Sequence, residues 1–281
     1  MTIFSEVICF IDRQVADDAV LLCESLGIKY LFHENAFCVE QFKKDIFIRN
    51  LNEFIGEENA KNEEFDNAEK YSDIKITWFS KFFLLFFILF FIFTSKKVYF
   101  WSTLGGNDAY LLINGEFWRG ITSLSLHADI VHLSSNLLFF VILLKPLIYF
   151  LGEGKAWFLV VLSGFIGNVI ADYIYQLNHI SIGFSTSVFG AIGILSVFNF
   201  YGKEETSLTG KLLPFGAALG LFAFTGIGKN VDVIAHFTGL ISGVAVTLIY
   251  FKKNNFFKKS DVLFKITAFA IFPVSWLFAF I

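Results

Sequence analysis

This chain has no basic tract and a formal net charge of only -3, so nothing in it reads as a nucleic-acid surface or as a funnel for acidic substrates. Cysteine is scarce: Cys9, Cys23 and Cys38 are the only three, all in the N-terminal region, with no metal-ligand spacing. An odd, unspaced set of that kind points to a reduced cytosolic segment. The zinc-protease helix pattern is missing as well, because His33-Glu34 has no histidine three residues after the glutamate. No metal or cofactor is expected. Nor does the N-terminus look like a cleavable signal peptide: it carries Glu6, Asp12 and Arg13 and has no long apolar core, so targeting falls to the first apolar span.

What the chain has in quantity is apolar length. With 56% hydrophobic residues and 39 Phe among 281 residues, it holds more contiguous apolar surface than one soluble core can bury, and the expected class is a polytopic α-helical membrane protein. Apolar runs near the ~20 residues a crossing helix needs fall at 78–95, 131–151, 157–177, 185–201, 210–228, 233–251 and 263–281, the last with the option of lying shallowly. Lys155, Lys203, Lys211, Lys252, Lys253, Lys258 and Lys259 flank these spans on one side, against Lys96, Lys97, Arg119 and Lys229 on the other. That bias places the N-terminus inside and Ser185 near the outer face.

Residues 1–57 read as a small cytosolic α/β unit of βαββα pattern: Val7–Ile11 as a strand, a helix with Val15, Ala19, Leu22 and Leu26 stopped by Gly27, hairpin arms Lys29–Phe32 and Ala36–Val39, and a second amphipathic helix to Ile55. Residues 58–77 form an acidic linker. A six-span core follows over 78–251, and 252–281 supply a basic loop and a seventh helix. Between the first two spans, the long segment from Lys96 to Ile130 reads as an interfacial helical element. In it Trp118 suits the headgroup level, and Arg119 suits either a phosphate or a loop cap.

Chemistry concentrates in three remote stretches. Gly183-Phe184-Ser185-Thr186-Ser187 turns from a polar loop into an apolar helix, where free backbone N–H groups and the helix dipole favour developing negative charge. In the second span His132 and Asn136 lie four apart, so both donate from one helix face, with His127 five residues ahead as a brace for the long loop. In the sixth span Ala235, Gly239 and Gly243 form a smooth face on which the fourth span, with Gly190 and Gly193, can pack, drawing His236 toward Ser185. Taken singly, each has a plainer reading: Ser185 as an N-cap, the His132/Asn136 pair as interhelical hydrogen-bonding, His236 as a packed core residue. Their shared depth near the outer ends of spans that cross in the same direction favours one site. Asn168 and Asp172, four apart in the third span, could line it.

These residues resemble the rhomboid family of intramembrane serine proteases over Gly115 through about Gly243, on Trp118-Arg119, His127 with His132 and Asn136, Gly183-Phe184-Ser185, and Ala235-His236 with Gly239 and Gly243. The resemblance implies Ser185 as nucleophile, His236 as general base and acid, and His132, Asn136 and the Ser185 N–H as the oxyanion site. It further implies that Phe189 stacks on His236, and that the substrates are membrane proteins, single-span or polytopic, cut near the outer interface of a bacterial inner membrane. They would enter near the Phe-rich fifth span. Ile148 stands where family members often carry a carboxylate, leaving that group's contacts without an owner, and Thr186 and Ser187 should narrow the cavity. No acidic residue is placed to orient His236. A catalytically silent client-binding protein, or a transporter using Asp172, His132 and His236, are the alternatives.

Overall fold

The computed structural model describes residues 4–9, 13–33, 36–53, 74–176, 179–201, 232–252 and 260–281. Contacts divide the chain into two compact units, Met1–Glu69 and Lys70–Ile281. The expected span at 210–228, the Glu34-Asn35 turn, most of the acidic linker and most of the basic loop after Lys252 lie outside the described residues.

The first unit is a three-stranded antiparallel sheet carrying helices. Strand β1 (Phe4–Cys9) begins three residues earlier than the apolar pattern predicts; α1 is Arg13–Leu26, β2 Tyr30–His33 and β3 Ala36–Glu40, and residues 44–53 form helix α2. The order β1-β3-β2 puts β3 in the centre. Its Phe37 and Val39 are fully buried against Ala19 and Cys23 of α1 and Phe47 and Leu51 of α2, each helix pair one turn apart. Gly27, at φ 59°, ends α1: the Ile28 N–H reaches back to Cys23 O at 2.9 Å and Gly27 N–H to Glu24 O at 3.3 Å, a Schellman closure.

The second unit is a bundle of apolar helices. Within it α3 is Trp78–Thr94, α4 Val98–Gly105, α5 Ala109–Ile113, α6 Arg119–Ser125, α7 Ile130–Leu151, α8 Glu153–Tyr175, α9 Ser185–Tyr201, α10 Val233–Lys252 and α11 Asp261–Ala279. Among the described residues five stretches are long and apolar enough to cross a bilayer: Trp78–Gly105, Ile130–Leu151, Glu153–Tyr175, Val233–Lys252 and Asp261–Ala279; Ser185–Tyr201 is apolar but shorter. The protein is therefore a polytopic helical membrane protein. Its helices are apolar all round because lipid, unlike water, accepts what packing leaves out: in α3, Phe83 and Phe87 are buried one turn apart while Phe82, Leu85, Leu89, Ile92 and Phe93 remain exposed.

A buried carboxylate fastens one end of the bundle. Glu153, which opens α8, accepts hydrogen bonds from the Thr77 backbone and hydroxyl and from Ser80 Oγ at 2.5 Å, and pairs with Lys265 at 2.8 Å. Trp157 Nε1 donates to Ser80 Oγ, and Asp261 Oδ1 accepts the Gly154 N–H, both at 2.8 Å. The starts of α3, α8 and α11 are thus held together. A carboxylate is stable out of water only when its lone pairs are filled in this way. At the opposite end Trp276 Nε1 of α11 donates to Ser125 Oγ at 3.0 Å and Phe278 stacks on Trp118, so α11 runs the length of the bundle.

The segment between α3 and α7 is broken into three short helices; every residue of α6 is buried, while Tyr99 and Phe100 of α4 and Tyr110 of α5 stay exposed. Strand β4 (Asn107–Asp108) pairs antiparallel with β5 (Ile180–Ser181), tying this segment to the loop that leads into α9.

Candidate functional site

The approach to Ser185 is pinned residue by residue. Gly183 sits at φ 131°, a conformation side chains disfavour, and donates its N–H to Ser123 O at 2.9 Å. A Cβ there would lie 2.6 Å from Nε2 of His132, so glycine is required by backbone conformation and by close approach alike. Phe184 is fully buried, its ring 4.7 Å from Phe87 and 5.3 Å from Phe140, and its N–H points to His127 Nε2 at 3.4 Å. Ser185 then opens α9.

Across from this loop, Asp129 caps α7 by accepting the His132 N–H at 2.8 Å, which sets His132 in the first helical turn. Asn136 follows one turn later and is 6% exposed; its Nδ2 makes no hydrogen bond among the described residues and lies 3.6 Å from the Gly183 Cβ position. His132 and Asn136 therefore both face the Gly183–Ser185 backbone. The His127 ring meets His132 edge-on at 5.2 Å, so His127 braces the approach to Ser185 as well as the segment it ends.

The third stretch arrives on α10. A methyl on Gly239 would fall on the carbonyl of Thr186, one on Gly243 on the carbonyl of Gly190, and one on Gly193 on the carbonyl of Leu240. Helices α9 and α10 thus touch backbone to backbone, the approach the four-residue spacing of small residues predicts. One turn before Gly239, His236 is 5% exposed and its ring stacks on Phe189 with centroids 4.4 Å apart and planes 17° apart. Thr186 and Ser187 do not narrow a cavity. They point into the helix contacts, Thr186 against Gly167 and Gly239 and Ser187 against Gly164, where glycine on α8 makes the room.

Other polar residues of the sequence reading lie apart from this cluster. Asn168 donates to Gly120 O at 3.0 Å and to Ser123 Oγ at 3.2 Å, and Asp172 accepts from Asn107 at 2.8 Å, so both hold the α4–α6 segment instead of lining a cavity. Arg119 is 6% exposed, pairs with Glu116 at 2.6 Å and donates to the carbonyls of Thr103 and Gly106; it acts as the loop cap. Trp118 lies on Phe278 of the C-terminal helix.

One group escaped the sequence reading. Asp232, just before α10, accepts the Ala235 N–H and the Tyr175 hydroxyl, each at 2.9 Å, and meets His179 Nε2 at 2.7 Å; the His179 ring lies flat on Tyr175 at 3.7 Å. The His236 N–H in turn donates to Asp232 O at 3.0 Å. Burial alone would raise the Asp232 carboxyl, but hydrogen bonds from His179 and from the Ala235 N–H outweigh it and bring it below the ordinary value. The hydrogen bond to Asp232 holds His179 above its usual 6.5 against the opposing desolvation. An aspartate three residues before Ala235 at the head of an apolar run is a helix-cap signal, and it was there to be read; its pairing with His179 was not.

The Rhomboid domain model matches residues 114–253, a segment that contains all the residues just described from Trp118 to His236. YdcA, a rhomboid protein of Bacillus subtilis (strain 168), is 27% identical over 146 residues, 50% of this chain and 71% of its own length. Rhomboid-like protease 3 of Toxoplasma gondii is 31% identical over 155 residues, 53% of this chain and 58% of that protein. Inactive rhomboid protein 2 of Homo sapiens is 27% identical over 179 residues, 57% of this chain and 21% of that much longer protein.

Proposed function

The chain belongs to the rhomboid family, and from that membership we propose that it is an intramembrane serine endopeptidase that cuts membrane-protein substrates near the outer end of their helices. Ser185 is the nucleophile and His236 the base. His236 takes the hydroxyl proton as Oγ adds to the scissile carbonyl, then returns it to the leaving amine; water repeats the cycle on the acyl-enzyme. The oxyanion is received by His132, Asn136 and the Ser185 N–H, a set of donors held by helix starts before any substrate arrives. The observation that carries this reading is the buried Asn136 Nδ2 with no hydrogen bond among the described residues, beside Gly183, two residues before Ser185. A buried donor without a partner costs about 1–3 kcal/mol, a cost offset where that donor serves an oxyanion. The flat Phe189 ring holds the His236 imidazole at a fixed tilt. The basic-loop bias supports a cytoplasmic N-terminus and an outward-facing Ser185 in a bacterial inner membrane.

Purified protein in detergent, incubated with a single-span model substrate, is expected to release a discrete product, and Ser185→Ala to release none. Because inactive members of the family exist among the relatives, the contrary outcome is specific: binding of the substrate without cleavage by either form identifies a client-binding protein.

A further inference from the structure

We infer that Asp232 and His179 are positioning residues for the Ser185–His236 pair, a clasp that locks the strand leading to Ser185 onto the head of the His236 helix. The inference rests on the protease reading above. Ser185 and His236 stand on different helices, and their registry at the mouth of the site depends on what joins α9's approach to α10's first turn. Gly243 meets Gly190 farther along the helices, and Gly239 meets Thr186 beside the mouth. A polar join adds to these contacts. His179 precedes β5 directly, and its carbonyl accepts the Ala109 N–H at 3.0 Å, so its backbone is anchored to the α5 start. Its side chain reaches Asp232 at 2.7 Å, and Asp232 caps α10 through Ala235 and carries the His236 N–H on its carbonyl. Tyr175 closes the clasp by stacking on His179 while donating to Asp232.

Among the described residues the charged and titratable groups around His179 are Asp232 on the α10 side, Asp172 and Tyr175 on α8, and Asp108 on β4 paired across to Ile180, with His236 a turn farther along α10. The carboxylates of Asp232 and Asp172 favour the imidazolium. The sign of the pH effect follows. With His179 raised, its contribution is whole below the ordinary histidine value and is lost as pH rises through its elevated value; with Asp232 depressed, its contribution is whole above the ordinary carboxylate value and fails only in acid. The clasp is tight between those limits and loosens on the alkaline side, where a general-base histidine by itself would hold its rate constant.

The test uses the full-length protein in detergent with a single-span substrate. His179→Ala is expected to lower kcat by about 10-fold with KM within a factor of two, and His179→Arg, which keeps a charge on Asp232 and a flat group on Tyr175, to restore kcat and abolish the alkaline decline of the wild-type profile. A His179→Ala enzyme with unchanged kcat and an unchanged pH profile overturns the inference. A second arm needs no cleavage: in the Ser185→Ala background the His179 ring, followed by NMR, is expected to titrate above 6.5, and Asp232→Asn to bring it down. An ordinary titration in both forms overturns the clasp, whereas a clasp that titrates as expected in a wild-type protein unable to cleave would instead remove the protease reading.

Discussion

Ser185→Ala and His236→Ala are each expected to slow cleavage of a membrane substrate by at least ~10³-fold, and the double variant to be no slower than either. The reason is that hydroxyl and imidazole act as one unit. A serine without its base is a weak nucleophile at neutral pH, and a base without its serine has no proton to take, so the second loss removes nothing the first had left. Residual activity in all three would come from the donors at His132 and Asn136 and from substrate binding. Conversely, losses that multiply would mean that the two side chains serve separate steps. Neither substitution leaves a new buried charge; Ser185→Ala should unfold close to the parent in detergent, whereas His236→Ala opens a void beside Phe189 and should unfold somewhat earlier while remaining folded at working temperature.

Gly243→Val is the second large effect. The atom a Cβ meets there is the carbonyl oxygen of Gly190, which is helix backbone and has no rotamer to escape into. Helices α9 and α10 have to separate, at a cost of about 1–3 kcal/mol for overpacking, toward the top of that range because the obstacle is rigid. Activity should fall further than stability, since the same separation moves Phe189 off His236 and His236 away from Ser185's helix. Gly190→Ala is the milder companion: the Ser163 hydroxyl its Cβ meets can rotate aside, and only the Ser163 Cβ at 2.8 Å has to shift with its helix. Melting temperature and kcat measured on both variants check the ranking, and equal, negligible losses at the two positions would contradict the tight packing of these helices.

The parts of this architecture that were legible in the sequence are those that repeat. Long apolar runs announce spans because a bilayer demands their length, and the starts and ends of α7, α9, α10 and α11 fall within about two residues of where the runs placed them. Small residues at Ala235, Gly239 and Gly243 announce a close helix contact because only their spacing keeps one face smooth. His132 and Asn136 share a face for the same periodic reason. Pairs that join distant points without a period were invisible. Glu153 reaches Thr77 and Lys265, Asp172 reaches Asn107, and His179 reaches Asp232, each across tens of residues with nothing local to announce the partner. In the α4–α6 segment the sequence left Arg119 between a phosphate and a loop cap, and the cap is what it forms, because Glu116 satisfies it together with two carbonyls that lie too far along the chain to be read as its partners. In the N-terminal unit β1 was displaced because Phe4–Glu6 join a sheet whose central strand lies thirty residues on, and the pairing outweighs the local apolar pattern.

The central claim is that folding brings an imidazole to bear on one hydroxyl among many. A fluorophosphonate reacts only with a serine so activated, which makes it the most direct measurement. Mass spectrometry of the labelled wild-type protein should place the adduct on Ser185 alone, and His236→Ala should lose the label while remaining folded. Labelling of Ser185 that persists undiminished in His236→Ala, or its absence from folded wild-type protein, would contradict the account.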